Sequence, residues 1–231
     1  MAREPEPGHG FWGSLDRPDR NALVQAGSWL SVAPGEVLLA RADDSGDVAI
    51  VWSGLTKAVV RVVDGKQVVL AVRGAGDIVG ELSHINRGGR SAAVVAVNRV
   101  QALLLRRCHF HQFLDHRAHA AETLRCVIVD RLCEADRDRL AAASMTVGQR
   151  LARFLLKIAL RHGIPGPAGD LKIDHLSQED LAACIGGATR TVAREMQAWR
   201  TRKIISTERR SVTVHQVPAL MRIAGRHAPP P

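Results

Sequence analysis

No metal knot, secretory leader or membrane-spanning stretch is written into this chain of 231 residues. Its four cysteines, Cys108, Cys126, Cys133 and Cys184, show no CxxC spacing, and the one CxxH, Cys108 with His111, has no second pair of cysteines to complete it. A zinc module or disulfide framework therefore has no ligand set, and the thiols read as free in a reducing compartment. No segment couples a basic start to an apolar run, and none approaches the roughly 20 apolar residues of a transmembrane helix. A soluble, cytoplasmic protein without a membrane partner is expected. Paired carboxylates, nucleophile–base arrangements, a P-loop and GxSxG are missing too, so no catalytic residue is assigned and no enzyme is expected. His109, His111, His116 and His119 crowd one strand-to-helix junction without closing a ligand set, so no metal site is assigned. Glycine and proline are absent from Cys108 to Ser144. That stretch, rich in Ala, Leu, Arg and Glu, should be one long helix.

What is present is charge of one sign. Net charge is +9 and the isoelectric point is near 10.4, which favours a polyanionic partner without naming it. The excess gathers after residue 145, from Arg150, Arg153, Lys157 and Arg161 to Arg209 and Arg210, while acidic residues are thicker from Glu122 to Asp138. A specialised basic end is the natural reading. The two ends, MAREPEPGHG and RHAPPP, are rich in Pro, Gly and charge and are expected to be mobile.

The most informative stretch is Ser177 to Thr201. Ser177 with Asp180 three residues on is an N-cap signal, because the hydroxyl can accept a free first-turn N–H. Leu181, Ala182 and Ile185 mark a buried face, and Gly186-Gly187 supply the backbone freedom of a sharp turn. Val192, Met196 and Trp199 then fall on one inward face of a second helix. Thr189, Arg190, Thr191 and Arg194 lie elsewhere on it, near its N-terminal end. There a helix-turn-helix presents side chains to the major groove of DNA. Upstream, Thr146 and Gln149 form a capping box that opens a helix from Val147 to about His162, so the Ser144–Thr146 break is a domain boundary and hinge. Downstream, Ile204 to Ser206 and Ser211 to Val214 look like a two-stranded wing whose basic tip, Arg209 and Arg210, touches phosphate.

Between a helical lead-in (about 12–27) and Arg107 the texture is different. Val48–Trp52, Thr56–Val63, Gln67–Val72, Ala92–Val97 and Val100–Leu105 are short strand-like runs separated by turn chemistry, which suggests a small antiparallel barrel or sandwich. Asp64-Gly65 is a good hairpin turn. Within this region, Gly80-Glu81-Leu82-Ser83 and Arg90-Ser91 bracket a short helix. Backbone N–H groups, a guanidinium and a hydroxyl together suit phosphate oxygens, and Glu81 suits a sugar hydroxyl. On the long helix, Leu124, Ile128, Leu132 and Ala135 form an apolar seam, a candidate parallel dimer contact.

Taken together, these pieces resemble the Crp/Fnr family of bacterial transcription regulators over about residues 12–225. The resemblance implies an α+β fold: an N-terminal antiparallel β-roll (jelly-roll-like), a long dimerisation helix and a C-terminal winged helix-turn-helix. The implied division is a mobile N-terminus (1–12), a cyclic-nucleotide-binding-like roll (13–107), the long helix and hinge (108–145), the DNA-binding domain (146–225) and a mobile tail (226–231). The cassette GELS…RSAAV follows GDIV and precedes the long helix, as in that family. In relatives that bind cyclic AMP, the cassette glutamate holds the ribose hydroxyl and the Arg-Ser pair holds the cyclic phosphate. By motif position these roles fall on Glu81, Arg90 and Ser91, with Gly80 and Leu82 lending backbone.

The departures are informative. The family's adenine-reading Thr-Ser pair corresponds to Ala135 and Asp136 here, with Arg131 one turn earlier. Phosphate and sugar recognition is kept while a base-reading hydroxyl is lost. No cofactor is expected. Cyclic AMP is the first reading for an allosteric ligand; cyclic GMP, a cyclic dinucleotide, or no ligand at all are the alternatives, the last making a ligand-independent repressor or architectural protein. The family's iron–sulfur sensors need an N-terminal cysteine cluster, and no cysteine precedes Cys108. On the reader helix the usual Ser-Arg-Glu-Thr-Val is Ala188-Thr189-Arg190-Thr191-Val192, with Arg194 matching the later arginine. An operator different from the family's common half-site follows, since Arg pairs with guanine where Glu accepts from cytosine. Thr191, Ser177 and Gln178 are expected on phosphate. The implied partners are double-stranded operator DNA, a second copy of the chain, and RNA polymerase.

Overall fold

The computed structural model describes residues 9–41, 43–61, 67–86, 89–167 and 169–225. The expected Asp64-Gly65 turn, the Val62-Val63 end of its strand, and the outermost parts of both termini lie outside the described residues. The chain forms two compact units, Met1–Glu134 and Ala135–Pro231. The border falls inside the long helix and not at the Ser144–Thr146 break.

The first unit begins with α1 (Gly10–Gly13) and α2 (Arg17–Ala26). The Asp16 carboxylate caps α2 by accepting from Asp19 N at 2.8 Å, and a proline sits in the first turn, where its missing N–H costs nothing. Eight strands follow: β1 (Ser28–Val32), β2 (Val37–Leu39), β3 (Val48–Ser53), β4 (Thr56–Arg61), β5 (Gln67–Arg73), β6 (Ile78–Val79), β7 (Ala93–Ala96) and β8 (Val100–Leu105). They make two antiparallel four-stranded sheets, ordered β1-β8-β3-β6 and β2-β7-β4-β5.

Strand β3 explains the layering. Its even-numbered side chains Val48, Ile50 and Trp52 join a core with Phe11, Trp12, Leu23, Leu103, Phe110 and Leu124. Its odd-numbered Ala49 and Val51 join Leu39, Val79, Val94, Ala96 and Ala102, drawn from both sheets. Alternate side chains of a strand point to opposite faces. A strand covered on both faces therefore reads as an unbroken apolar run, as Val48–Trp52 does. The expected five strands are found, with shifted ends; β1, β2 and β6 were not expected.

Two expectations fail in this unit. Phe11 and Trp12, placed in the mobile N-terminus (1–12) by the implied division, are 0% and 1% exposed. Trp12 meets Trp52 edge-on at 4.9 Å and donates its backbone N–H to Gly76 O at 2.9 Å. Large aromatic area drawn into a core outweighs the Pro- and Gly-rich context. The single helix from Cys108 is also two: α4 (Arg107–His116) and α5 (Ala118–Ser144), broken at Arg117. The Arg117 guanidinium donates at 3.2 Å to the buried carboxylate of Asp19. A buried charge needs a partner, and Arg117, at the break, supplies it.

The second unit holds the end of α5, then α6 (Val147–His162), β9 (Ile164–Pro165), β10 (Leu171–Asp174), α7 (Gln178–Ile185), α8 (Thr189–Thr201), β11 (Ile205–Glu208), β12 (Ser211–Val214) and α9 (Val217–Ala224). Helix α6 opens on the expected Thr146–Gln149 capping box. The wing is larger than expected: β11 and β12 are two adjacent strands of a four-stranded sheet, β11-β12-β10-β9. Its turn is Arg209-Arg210, with Arg210 in the left-handed region at φ 58°. Among the described residues, no helix is long and apolar enough to cross a membrane.

Candidate ligand cassette and nucleic-acid interface

Strand β6 runs into Gly80, whose φ of +87° only glycine adopts without strain. A Cβ there would sit 2.6 Å from Arg90 Nη1 and 2.9 Å from Asp47 O. The position must stay bare for the Arg90 guanidinium to lie against the backbone. Helix α3 (Glu81–Asn86) follows, and its first residue, Glu81, is only 4% exposed.

Glu81 and Arg90 are both already partnered. Arg131, on α5, donates from Nη1 to Glu81 Oε1 at 2.6 Å and from Nη2 to Ile78 O at 2.8 Å. Its guanidinium also lies 3.7 Å from Asp77. Alongside, Arg73 pairs with Glu134 at 3.6 Å. Burial, and then the neighbouring Arg131 charge, push the Arg73 guanidinium below its usual range, against the pull of Asp77, Glu134 and Glu81. Arg90 is 5% exposed. Its Nη1 donates to Ser83 Oγ at 3.2 Å, and its Nη2 reaches Asp47 O at 2.8 Å, Ser45 Oγ at 3.2 Å and Asp43 Oδ2 at 3.3 Å. Its Nε is buried without a hydrogen-bond partner among the described residues. The Asp43 carboxyl is held below its usual range by the backbone N–H of Ser45 first, with the Ser45 hydroxyl and the Arg90 charge adding to it against partial desolvation.

Of the expected cassette residues, then, Glu81 and Arg131 pair with each other, Arg90 lies against Gly80 and bonds a separate set, and Leu82 and Ser91 are exposed. Ala135 and Asp136 are exposed members of the second unit, and Asp136 bonds Arg139 on its own helix at 3.3 Å. Asp43, Ser45, Asp47, Asp77, Arg73 and Glu134 were not anticipated. Nothing in the spacing of the cassette points to a loop 43 residues upstream of Arg90.

The expected dimer seam divides. Leu124 is buried in the core of its own chain, with Ile128 packed against that core. Leu132 and Ala135 are exposed, as are Val129 and Leu140. One face of α5 covers the roll, and Leu124 belongs to that face.

In the second unit, Ser177 and Asp180 complete a reciprocal cap, with Asp180 N donating to Ser177 Oγ at 3.0 Å and that hydroxyl donating to Asp180 Oδ2 at 2.7 Å. Gly186 ends α7 in the left-handed conformation, φ 60° and ψ 42°. Val192, Met196 and Trp199 are buried, so Thr189, Arg190 and Arg194 stand exposed; Gln178, Arg209 and Arg210 are exposed too, and Thr191 is half-buried. Arg150, counted above with the basic excess, is committed to structure. Its Nε donates to Ile185 O at 3.0 Å and its Nη1 to Met145 O at 2.8 Å, clamping the turn before α8. An open cleft of about 570 Å³ lies between the end of α8 and the wing, lined by Arg200, Lys203, Ile205, Ser206, Thr207 and His215. Its polar groups bond one another, Arg200 to Thr207 at 2.7 Å and His215 to Ser206 at 2.8 Å.

Among the described residues, one group could offer three ligand atoms to a metal: Asp16, Asp19 and His119. The Arg117 guanidinium on Asp19 already supplies the positive charge there.

Comparison with known proteins bears on both halves. Residues 29–117 match the cyclic nucleotide-binding domain family and residues 149–223 the Crp-like helix-turn-helix domain family. The chain is 28% identical over 191 residues to the CRP-like cAMP-activated global transcriptional regulator of Mycobacterium tuberculosis, covering 82% of this chain and 85% of the relative. Two solved structures share the fold. FixK2 from Bradyrhizobium japonicum matches with a TM-score of 0.77 at 20% identity, over 87% of this chain and 99% of the other. The c-di-GMP responsive global regulator CLP of Xanthomonas campestris matches with a TM-score of 0.74 at 16% identity, over the same shares.

Proposed function

Because the chain belongs to the Crp/Fnr family of transcription regulators, we propose that it acts in the cytoplasm as a homodimer that reads operator DNA with α8. RNA polymerase is its further partner at the promoter. The observation that carries this reading is the division of α8. Val192, Met196 and Trp199 anchor one face in the core while Thr189, Arg190 and Arg194 are left to solvent beside the helix N-terminus. Exposed arginines at that end of a helix-turn-helix suit guanine edges in the major groove. The basic wing tip, Arg209 and Arg210, suits the phosphates alongside.

For the cassette, the first reading is an allosteric cyclic nucleotide, with cyclic AMP first. In support, the cassette motif makes Glu81, Arg90 and Ser91 the candidates for ribose and phosphate contacts, and the similar M. tuberculosis protein is named as cAMP-activated. The c-di-GMP responsive relative keeps a cyclic dinucleotide in view, and cyclic GMP belongs with them. The second reading, a regulator that needs no ligand, is favoured by a specific observation. Arg131 already occupies Glu81, and Asp43, Ser45 and Asp47 already occupy Arg90. A ligand can change DNA affinity only by preferring one state of the dimer.

The experiment is a titration of operator DNA with and without cyclic AMP, cyclic GMP and cyclic di-GMP, on the native chain and on Arg90→Ala. Tighter binding with one nucleotide, lost in Arg90→Ala, supports ligand control. Equal affinities throughout leave the ligand-independent regulator.

A further inference from the structure

We infer that Asp43 is an internal counter-ion of the cassette, holding the place that an anionic ligand must take on Arg90, and that it sets the affinity of the site for phosphate-bearing ligands. This rests on reading the cassette as an anion site. The guanidinium of Arg90 offers a planar edge, Nε and Nη2, on which two oxygens of one anion sit side by side. Asp43 reaches only Nη2, through one oxygen, at 3.3 Å. The other half of that edge, Nε, is buried with no acceptor among the described residues. A buried donor left without an acceptor is destabilising. A phosphate bridging both nitrogens would satisfy Nε while replacing a single carboxylate contact.

Asp43 is also built to leave. Its side chain is 37% exposed where that of Arg90 is 3%, so the carboxylate has a path to water and gains hydration when it turns out. It sits in a tight local turn, with Ser45 N donating to Oδ1 at 2.8 Å and Ser45 Oγ donating to Oδ2 at 2.9 Å. The same Ser45 hydroxyl accepts from Arg90 and from Asp47 N. Loop 43–47 and the cassette are therefore one hydrogen-bonded assembly. An arriving anion meets two opposing effects, repulsion by Asp43 and the incomplete fork on Arg90. Removing the Asp43 charge takes away the first and keeps the second.

The test uses the full chain with two probes, cyclic AMP and inorganic phosphate, read by calorimetric titration and by thermal shift. Asp43→Asn keeps an acceptor for Ser45 N–H and is expected to bind at least tenfold tighter than the native chain. Asp44→Asn removes the same charge one residue along and is expected to change nothing. Arg90→Ala abolishes the gain in the Asp43→Asn background. Asp43→Ser repeats the measurement should the Asn variant not fold. If phosphate binds the Asp43 variant tighter while cyclic AMP binds neither protein, the counter-ion stands and the cyclic-nucleotide reading falls. If the Asp43 variants bind both anions no tighter than the native chain, or Asp44→Asn gains as much, the proposal is overturned.

Discussion

Replacing Arg131 by methionine probes the strongest polar tie between α5 and the cassette. The substitution keeps the length of the aliphatic stem and removes two donors, to Glu81 Oε1 at 2.6 Å and to Ile78 O at 2.8 Å. Glu81 would be left without that partner in a nearly solvent-free position. Breaking a fully buried pair costs about 3–5 kcal/mol, because the abandoned charge keeps its desolvation penalty. The Arg131 side chain is 17% exposed, so water can partly replace it, and about 2–4 kcal/mol is the expected loss. For a unit of this size that lowers the melting temperature by about 10 °C. The diagnostic is the double variant. With Glu81→Gln beside Arg131→Met no charge is stranded, and most of the loss should return. Urea denaturation followed by tryptophan fluorescence suits the measurement, since Trp12, Trp29 and Trp52 report on the first unit and Trp199 on the second. A loss below about 1 kcal/mol, the scale of an exposed ion pair, or no recovery in the double variant, would refute the reasoning.

Three further outcomes are expected. Burial, and then the His111 and Arg107 charges, push the His84 imidazole below its usual range, against the Gly46 backbone and Asp115. The unfolded chain then takes up the proton first, so stability is full above about pH 6.5 and falls as pH drops from there through the folded-state value; melting curves from pH 7.5 to 5.5 should flatten in His84→Leu. Arg190→Ala and Arg194→Ala should each lose about 1–3 kcal/mol of discrimination at one base position if bidentate to guanine, and anisotropy titrations showing a uniform loss over all sequences would make them phosphate contacts. Leu132→Asp, on the exposed face of α5, should weaken the dimer in sedimentation runs without lowering the melting temperature of the roll.

What could be read in advance was whatever short-range chemistry decides. The Thr146–Gln149 and Ser177–Asp180 boxes are contacts across three residues, and each stands where its spacing put it. The inward face of α8 follows from spacings of four and three. The strands β3, β4, β5, β7 and β8 follow from β-branched runs between turns. Strand β1 is mostly exposed, β2 has three residues and β6 two, so none carries an apolar pattern long enough to register. The break at Arg117 answers to Asp19, 98 residues away. The partners of Arg90 lie on a loop whose acidic residues look like ordinary turn formers. Leu124 carries the same periodic signal whether its face meets the roll or a second helix. Pattern gives the face; only the fold says what covers it.

Selection of duplexes from a random pool, followed by the mass of the complexes formed, tests the central claim most directly. A dimeric reader should yield enriched inverted repeats with half-site centres about 34 Å apart, two chains on each duplex, and base preferences that change at one position in Arg190→Ala. A pool that stays random at low ionic strength, or a single chain on every duplex, would contradict it.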